Sequence, residues 1–259
     1  MPELPDLQVF ARNLQKKLKG KSVKKISVAD AARMKITAAK LNKNIAGSNL
    51  EKVYREGKQL RFLFDNGSVL GMHLMLHGKL ALFEKKNREK YSVAAILFDD
   101  GTGLALTDFQ KKASVSLNPE ESDAPDAMSA KMNAKFLEKI FSGSRKKVKD
   151  ILLDQHIIRG IGNAYADEIL WHARISPFSR ADKIPPAKIQ GLAAAIKKTL
   201  KGAEKQILKI SPGIIAGELR DFMLIHHSGK TKSPGGKPIF HTSAKSRKTY
   251  YTEEQQLYK

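Results

Sequence analysis

The spacing of apolar residues at the start of the chain predicts an amphipathic helix. Its apolar positions are Leu7, Phe10, Leu14 and Leu18. Residues three and four positions apart lie on one face of a helix, so these side chains share a face that can be buried. Pro5 suits the first turn of this helix, and Gly20 suits the position just after its end. We therefore expect a helix from Pro5 to about Leu18.

Between residues 50 and 115 the pattern changes to short apolar segments separated by turn signals. The segments are LEKVYREG, QLRFLFDNG, SVLGMHLML, KLALFEK, VAAILFDDG and GLALTDF. Short segments of this kind are typical of strands, and the dipeptide Asn66-Gly67 is typical of a tight hairpin turn. We expect a meander of antiparallel strands.

The segment LNPEESDAPD, residues 117–126, is polar, acidic and proline-bearing, and it predicts a linker. Beyond it, helical spacing returns in AMSAKMNAKFLEKIF, KVKDILLDQ, AYADEILWHAR, PPAKIQGLAAAIKKTLKGAEKQILK and DFMLIHH. After Ser228 the apolar content is too small for a separate core, but PIFHT and KTYYTEE suit a hairpin across HTSAKSR. The predicted domains are residues 1–122, 123–227 and 228–259.

The composition narrows the class of partner. Lys and Arg number 47 against 26 Asp and Glu, which gives a formal net charge of +21. A field this positive suits a polyanion, and nucleic acid is the first candidate. The sequence has no apolar run of membrane-spanning length and no signal-like start. We therefore expect a cytoplasmic, nucleoid-associated protein without a membrane partner.

The first three residues, Met1-Pro2-Glu3, carry a candidate nucleophile. Initiator methionine is usually trimmed before a small residue such as proline, and trimming here leaves Pro2 with a secondary amine. The pKa of an α-amino group is about 7.7–8.0, so a useful fraction is neutral and can attack an aldehyde-like carbon. Glu3 is suited to protonate a sugar ring oxygen. The alternative interpretation is helix initiation alone, with Pro5 and Asp6 as ordinary first-turn residues.

A second motif, IRGIGNAYADEIL at residues 158–170, lies between two helical segments. Gly160 and Gly162 let the backbone turn tightly, and Asn163 stands where an N-cap would open the next helix. Free backbone N–H groups and the helix dipole would then favour a phosphate. An ordinary helix–helix turn capped by asparagine is the alternative.

MPELPD at the start, together with DQHIIRGIGNAYADEIL in the middle, resembles the formamidopyrimidine-DNA glycosylase and endonuclease VIII family. The resemblance spans almost the whole chain. It implies an α+β multidomain fold with an N-terminal helix, an antiparallel β-sandwich, a helical helix-two-turn-helix domain and a C-terminal hairpin finger. It also implies a monomeric, cofactor-free enzyme of base-excision repair that acts on damaged double-stranded DNA.

The activity implied by the resemblance is that of a bifunctional DNA glycosylase and abasic-site lyase. Such an enzyme removes an oxidised or ring-opened base while a Schiff base forms between its N-terminal proline and the sugar. It then nicks the strand by β- or β,δ-elimination. Position by position, Pro2 matches the nucleophile and Glu3 the acid beside it. Lys58, in the predicted turn Glu56-Gly57-Lys58, matches a lysine that binds phosphate near the lesion; the alternative is a solvated lysine.

The resemblance also assigns phosphate contacts and the residues that fill the space left by the everted base. Asn163, in a turn shaped by Gly160 and Gly162, matches the phosphate-binding asparagine. Arg247 matches the finger-tip arginine. Leu76 stands where the family usually places a methionine wedge. In the second loop, Gln110, Lys111 and Lys112 stand where arginine, arginine and phenylalanine are expected. Phe109 can substitute if the loop shifts, and plain packing is its alternative role.

Two further departures concern metal and lesion choice. The chain holds no cysteine, so the four-cysteine zinc finger of many family members cannot form, and we expect a zincless finger without a metal. The segment DFMLIHHSGKTKSP is shorter than the loop that caps a flipped purine in 8-oxoguanine enzymes. We therefore expect weak excision of 8-oxoguanine.

Two other functions stay open from the sequence. The altered wedge and the many lysines suit a catalytically weak relative that binds damaged or bent DNA without turnover. A basic protein associated with RNA or the ribosome explains the charge but not the ordered motifs. The intact Pro2-Glu3 pair favours the enzyme.

Overall fold

The computed structural model describes residues 1–244 and 247–259, which form two compact units. The first unit comprises Met1–Glu121 and Ile207–Glu218, and the second comprises Ser122–Gln206 and Leu219–Lys259. The chain therefore passes from the first unit to the second within residues 117–126, the polar segment predicted as a linker. Residues 207–218 belong to the first unit, although they lie within the predicted domain 123–227.

The first unit begins with the predicted helix, α1, which spans Leu4–Leu18. Two short helices follow β1, and they are α2 (Ala31–Met34) and α3 (Ala38–Ile45). The strands are β1 (Val23–Val28), β2 (Leu50–Glu56), β3 (Gln59–Phe64), β4 (Val69–His73), β5 (Lys79–Glu84), β6 (Ser92–Phe98), β7 (Thr102–Thr107) and β8 (Ser114–Leu117). The predicted strands are confirmed, whereas β1, β8, α2 and α3 were not predicted.

The eight strands form two antiparallel four-stranded sheets around one hydrophobic core. Their orders are β1-β6-β7-β5 and β2-β3-β4-β8. The sheets are not a simple meander, because β5 pairs with β7 and not with β6. The apolar face of α1 is buried in the same hydrophobic cluster as Phe62, Phe64 and Phe98, and the helix contacts chiefly β2. Burial of this face fixes the start of the chain on the sheets.

The second unit is mainly helical. Its helices are α4 (Ala134–Ser142), α5 (Val148–Leu153), α6 (Asn163–His172) and α7 (Pro186–Ile210), of which residues 207–210 are grouped with the first unit. The helix predicted from residue 127 begins only at Ala134, because the Asn133 side chain accepts the N–H of Phe136 at 3.0 Å and caps it there. The α5–α6 pair with its turn is the helix-two-turn-helix element.

The prediction of a helix at DFMLIHH, residues 221–227, is wrong. The buried carboxylate of Glu168 accepts the backbone N–H groups of Leu224, Ile225 and His226 at 3.0, 2.8 and 2.8 Å. In a helix these N–H groups would bond to carbonyls four residues earlier. A side chain from α6 therefore satisfies three donors of this segment and holds it in an irregular conformation.

The predicted C-terminal hairpin is confirmed. Strand β9 (Phe240–Ala244) pairs with β10 (Arg247–Tyr251) in antiparallel register, with Tyr251 opposite Phe240. Lys245 and Ser246, at the predicted turn, lie outside the described residues. Among the described residues, no group of three or more His, Asp and Glu side chains is arranged to hold a metal ion.

Hydrogen bonds to one carboxylate hold the segments that flank this hairpin. Glu254 accepts the Ser233 hydroxyl at 2.6 Å, the Trp171 indole N–H at 3.0 Å and the Thr252 hydroxyl at 3.1 Å, and it pairs with Arg174 at 2.9 Å. The bond from Ser233 contributes most to lowering the pKa of Glu254, which falls to about 2. Without cysteine these residues do not suit zinc; they form a hydrogen-bonded cluster instead.

Glu254→Gln is expected to destabilise the second unit by about 2 kcal/mol, because the amide replaces a charged acceptor of three hydrogen bonds. Since the folded pKa lies below the ordinary value of about 4.3, this stabilisation is present above that pH and is lost as the pH falls towards 2. Trp171 is the chain's one tryptophan, so its fluorescence during urea unfolding reports on the cluster.

The matched control for this prediction is Glu253→Gln. Glu253 is 57% exposed and pairs with Lys237 at 2.8 Å, and such surface pairs contribute little. Its loss is expected to change the free energy of unfolding by less than about 0.5 kcal/mol. Equal stabilities of the two variants across the pH range would contradict the role assigned to Glu254.

Candidate active site and nucleic-acid interface

The N-terminal residues are held in place by a reciprocal pair of hydrogen bonds at the start of α1. The Glu3 side chain accepts the backbone N–H of Asp6, and the Asp6 carboxylate accepts the backbone N–H of Glu3 at 2.8 Å. Both carboxyl groups are buried, with Glu3 5% exposed. This capping box leaves Pro2 and Glu3 little freedom to move relative to the helix.

Pro2 lines a cavity of about 440 Å³ in the first unit. The Pro2 nitrogen is bonded to Met1, whose amino group pairs with the Glu218 carboxylate. The side chains of Leu76, His77, Tyr91, Phe109 and Glu218 also line the cavity. The Pro2 nitrogen becomes an amine in this cavity once Met1 is removed.

The loop after β4 presents Leu76 at the cavity. Leu76 is 56% exposed, whereas the neighbouring Leu74 is 2% exposed and anchors the loop in the core. The N–H of Gly78 bonds to the Leu74 carbonyl at 2.9 Å. A Cβ atom at Gly78 would lie 2.1 Å from that same oxygen, so only glycine fits this turn. The loop therefore holds an apolar side chain in solvent.

The second loop, residues 108–113, is organised by a buried carboxylate. Asp108 accepts the backbone N–H groups of Gln110, Lys112 and Ala113 at 2.9, 2.8 and 2.8 Å. Burial acts to raise the pKa of Asp108, but these three bonds outweigh it and hold the pKa below its ordinary value. Lys111 has a φ of 55°, is exposed, and lies outside the lining of the Pro2 cavity.

Lys58 lies in the tight turn between β2 and β3, where Gly57 has a φ of 56°. The Arg55 side chain donates to Gln8 of α1 at 3.1 Å and to the Gly57 carbonyl at 2.9 Å, which ties the turn to the helix. Burial lowers the pKa of His73, and the positive charge of Lys58 lowers it further. Gln59, the residue after Lys58, pairs with His73 at the end of β4. Lys58 therefore lies near the base of the Leu76 loop, although it does not line the Pro2 cavity.

In the second unit, the prediction that Asn163 caps α6 is wrong. Gly162 is the N-cap residue, and Asn163 is the first residue of the helix. The Asn163 side chain is engaged elsewhere, because its Nδ2 donates to the Lys248 carbonyl of β10 at 2.8 Å. An amide nitrogen carries two hydrogens, so one is used here and a second is available for a ligand.

The turn before α6 has the tight geometry expected from its glycines. Gly160 has a φ of 102°, a conformation that favours glycine. The Gln155 side chain accepts the Gly160 N–H at 2.9 Å and donates to the Ile161 carbonyl at 2.8 Å. These bonds fix the backbone that leads to Asn163.

Asn163 and Arg247 line one depression of about 240 Å³ in the second unit. Lys147 and Lys149, which sequence reasoning did not single out, line it as well. Lys149 is 6% exposed and pairs with Asp167 at 2.6 Å, while its ammonium also donates to Thr249 of β10 at 2.8 Å. The depression gathers cationic and amide donors that suit a phosphate. In the sequence no signal distinguishes these two lysines from the many other basic residues.

In the described part of the chain, no helix combines the length and the apolar character needed to cross a membrane.

Two family models match the chain. Residues 1–115 match the formamidopyrimidine-DNA glycosylase N-terminal domain, and residues 124–211 match the formamidopyrimidine-DNA glycosylase H2TH domain. The first match covers the Pro2 cavity loops and the Lys58 turn. The second covers the Gly160-Gly162-Asn163 motif.

Relatives and solved structures agree with these matches. A formamidopyrimidine-DNA glycosylase of Chloroflexus aurantiacus is 32% identical over 212 residues, which cover 78% of this chain and 76% of the relative. Another, of Lactobacillus gasseri, is 29% identical over 276 residues and covers 100% of both chains. The wild-type Lactococcus lactis Fpg (MutM), solved with an oxidised-pyrimidine-containing DNA, is 25% identical, with a TM-score of 0.86 over 98% of this chain and 100% of that chain. The chain therefore belongs to the formamidopyrimidine-DNA glycosylase and endonuclease VIII family, and it is a DNA glycosylase of base-excision repair with the family's associated abasic-site lyase activity.

Proposed function

We propose that the chain removes oxidised or ring-opened bases through a Schiff base on Pro2 and then nicks the strand by β- or β,δ-elimination. The observation that carries this proposal is the position of Pro2 in an open cavity of about 440 Å³. The next residue in the chain, Glu3, has a buried carboxyl group fixed by the capping box. Removal of Met1 is the step that creates the nucleophile. The chain acts as a monomer on double-stranded DNA and needs no cofactor.

The chemistry follows from a neutral secondary amine and a neighbouring acid. The Pro2 nitrogen attacks C1′ of the damaged nucleotide, and the bond from C1′ to the base breaks, with the electron pair leaving on the base. The N–H proton of the new ammonium passes to the departing base, which leaves neutral and returns the lone pair to the Pro2 nitrogen. Glu3 protonates the ring oxygen O4′, so the C1′–O4′ bond opens and an iminium forms between Pro2 and C1′. The iminium is an electron sink and acidifies the C2′ hydrogen.

Elimination then cleaves the strand. Loss of the C2′ proton expels the 3′ phosphate as the C3′–O bond breaks, and a second elimination at C5′ gives the β,δ outcome. Water finally hydrolyses the iminium and returns the Pro2 amine. Lys58, close to the Leu76 loop, is assigned to a phosphate beside the lesion, where its charge offsets that of the DNA backbone.

The depression in the second unit supports phosphate binding. Asn163 supplies an amide N–H, and Arg247, which is exposed, supplies a guanidinium that can bind a phosphate through two hydrogen bonds. Gly160 and Gly162 shape the backbone of the turn. In the first unit, Leu76 is assigned to the space left by the everted base, and exposed Lys111 is assigned to DNA contact.

One observation favours a second candidate function, a damaged-DNA-binding relative with weak catalysis. The loop held by Asp108 carries Gln110, Lys111 and Lys112, which differ from the arginines and phenylalanine that the family uses there. The capping box that fixes Glu3 and Pro2 favours the enzyme, since binding alone does not need a buried acid at this position. Covalent trapping separates the two.

The Met1-processed chain, incubated with abasic duplex DNA and borohydride, is expected to form a covalent adduct, because borohydride reduces the Pro2 iminium to a stable amine. Pro2→Leu, which disfavours methionine removal and keeps the nitrogen in an amide, is expected to form none. Mass spectrometry of each protein establishes whether Met1 is present. A processed wild-type chain that binds the duplex without an adduct would assign the chain to the second candidate function.

Glu3→Gln in the processed chain keeps the amine and removes the acid. It is expected to lower the rate of base release by about 100-fold or more, the usual contribution of general acid catalysis. Single-turnover rates on a base-containing lesion measure this step. An unchanged rate would remove Glu3 from the mechanism.

Arg247→Ala is expected to weaken binding to duplex DNA and to reduce the slope of log affinity against log salt by about 0.9, the effect of one lost ionic phosphate contact. Asn163→Ala is expected to weaken binding with little change in slope, because the amide is neutral. Lys139→Ala, on the exposed surface of α4 outside the depression, is the control. Equal slopes for Arg247→Ala and Lys139→Ala would contradict the assignment.

The chain is expected to excise 8-oxoguanine at least about tenfold more slowly than 5-hydroxyuracil, a loss of the size produced by one or two contacts. The segment available for a purine cap is short and already engaged, because Glu168 holds residues 224–226 and the Lys230 ammonium bonds to the Asp221 carbonyl at 3.2 Å. Single-turnover excision from matched duplexes measures the ratio. A preference for 8-oxoguanine would overturn the expectation.

A further inference from the structure

Glu218 is a carboxylate that lines the same cavity as Pro2. Among the described residues that line this cavity, the other carboxylate is Asp108, which is 1% exposed and already accepts three backbone N–H groups. Glu3, the proposed acid, is buried in the capping box and is not part of the lining. The Glu218 side chain is 31% exposed, so Glu218 is the carboxylate that can contact a group bound in the cavity.

The segment that carries Glu218 is anchored to the helix that follows Pro2. Asn13 of α1 is 4% exposed, and its amide donates to the Ile214 carbonyl at 2.7 Å. The Ile214 side chain packs against the hydrophobic core of the first unit. The chain then turns at Gly217, whose φ of 89° favours glycine, and presents Glu218 at the cavity. Glu218 and Pro2 are therefore both anchored to α1.

The carboxylate of Glu218 already binds the amino terminus of the chain. With Met1 present, its partner is the Met1 amino group. Removal of Met1 transfers the terminal amine to Pro2, one residue further along, and consecutive Cα atoms lie about 3.8 Å apart. A glutamate side chain turns about three rotatable bonds, so its carboxylate can follow the amine over such a distance. We therefore expect Glu218 to contact the Pro2 amine in the processed chain.

The proposed reaction requires the Pro2 nitrogen to lose a proton while it is bonded to C1′. After the attack this nitrogen is an ammonium, and its lone pair must be restored before the C1′–O4′ bond can open. The ring oxygen on C1′ withdraws electrons, so this ammonium is more acidic than a free terminal ammonium, whose pKa is about 7.7–8.0. A carboxylate within hydrogen-bonding distance is suited to accept such a proton.

We propose that Glu218 accepts the proton of this ammonium and delivers it to the departing base. This inference rests on the proposed function. The N–H bond of the Pro2 ammonium breaks as an O–H bond forms on Glu218. That O–H bond then breaks as the proton joins the base nitrogen that has left C1′, and the carboxylate is restored. Glu3 protonates O4′ in the same reaction, so one carboxyl group serves the nitrogen and the other serves the ring oxygen.

The test is the single-turnover rate of base release by the Met1-processed Glu218→Gln variant, measured between about pH 6 and about pH 9.5. At about pH 9.5 the amine is largely neutral with either residue, since its ordinary pKa is about 7.7–8.0. There the variant is expected to be about 100-fold slower, the usual contribution of a group that accepts a proton in the reaction. His77, Lys79, Tyr91 and Asp108 are the other titratable residues of the lining, and their titration is common to both proteins.

A role as a counter-ion alone gives a different pH profile. A carboxylate that only pairs with the Pro2 ammonium stabilises the charged form of the amine. Its removal would then lower the pKa of the amine and raise the rate near neutral pH, with no change at about pH 9.5. This profile in Glu218→Gln would overturn the proposal.

Two further variants separate proton transfer from a structural role. Glu218→Ala leaves room for a small carboxylate, so added formate is expected to restore base release in this variant. Glu84→Gln removes an exposed carboxylate on β5, outside the Pro2 cavity, and is expected to release the base as the wild-type chain does. Binding of Glu218→Gln to a duplex with a tetrahydrofuran abasic analogue is expected to match wild type, because the proton transfer follows binding.

The outcomes distinguish this inference from the proposed function. Slower base release by Glu218→Gln at about pH 9.5, together with formate rescue of Glu218→Ala, supports the proton transfer. An unchanged rate at that pH, or a slow Glu218→Ala variant that formate does not restore, overturns it. The borohydride adduct of the wild-type chain is scored separately. A wild-type chain that forms no adduct refutes the proposed function, whereas one that traps normally while Glu218→Gln releases the base like wild type refutes only the role of Glu218.

Discussion

The reciprocal hydrogen bonds between Glu3 and Asp6 are the constraint on which the active site depends. They join the first residues of the chain to the first turn of α1, and the apolar face of that helix is buried in the core of both sheets. Chain ends are commonly disordered unless something ties them down. Here the terminus proposed as the nucleophile acquires the rigidity of the sheets, and the carboxyl group of Glu3, the proposed acid, is fixed by the same bonds.

Buried carboxylates organise backbone throughout this strongly basic chain. Asp108 collects three N–H groups to shape the loop that carries Phe109, and Glu168 collects three to hold the segment after residue 223. Asp167 pairs with Lys149 and accepts the N–H of Tyr250, which joins α5, α6 and β10. Each carboxylate offers several acceptor sites in one place, so it can replace the regular hydrogen bonds of a helix or sheet. The lowered pKa of Asp108 keeps the carboxylate of that residue ionised at neutral pH.

The sequence predicts an element of the structure when the interactions that determine the element join residues that are close in the sequence. Helix α1 and the β9–β10 hairpin follow from neighbouring residues, as does the Asn66-Gly67 turn, where Gly67 has a φ of 82°. The segment DFMLIHH has helical spacing, but its hydrogen bonds are set by Glu168, which is distant in the sequence. The same distinction applies to the residues of the candidate site. Pro2 and Glu3 are adjacent in the sequence and were identified together. The exposure of Phe109 follows from the contacts of Asp108, and the spacing of residues in the sequence does not predict those contacts.

The hydrogen-bonded cluster around Glu254 has a chemical consequence for an enzyme of DNA repair. A finger held by thiolates and zinc is open to oxidation at sulfur and to loss of its metal. The hydroxyl, indole and guanidinium groups that bind Glu254 have no thiol to oxidise and release no ion to a chelator. The C-terminal hairpin is therefore held by groups that lack the sulfur chemistry by which oxidants disable zinc fingers, so the conditions that damage DNA do not attack it by that route.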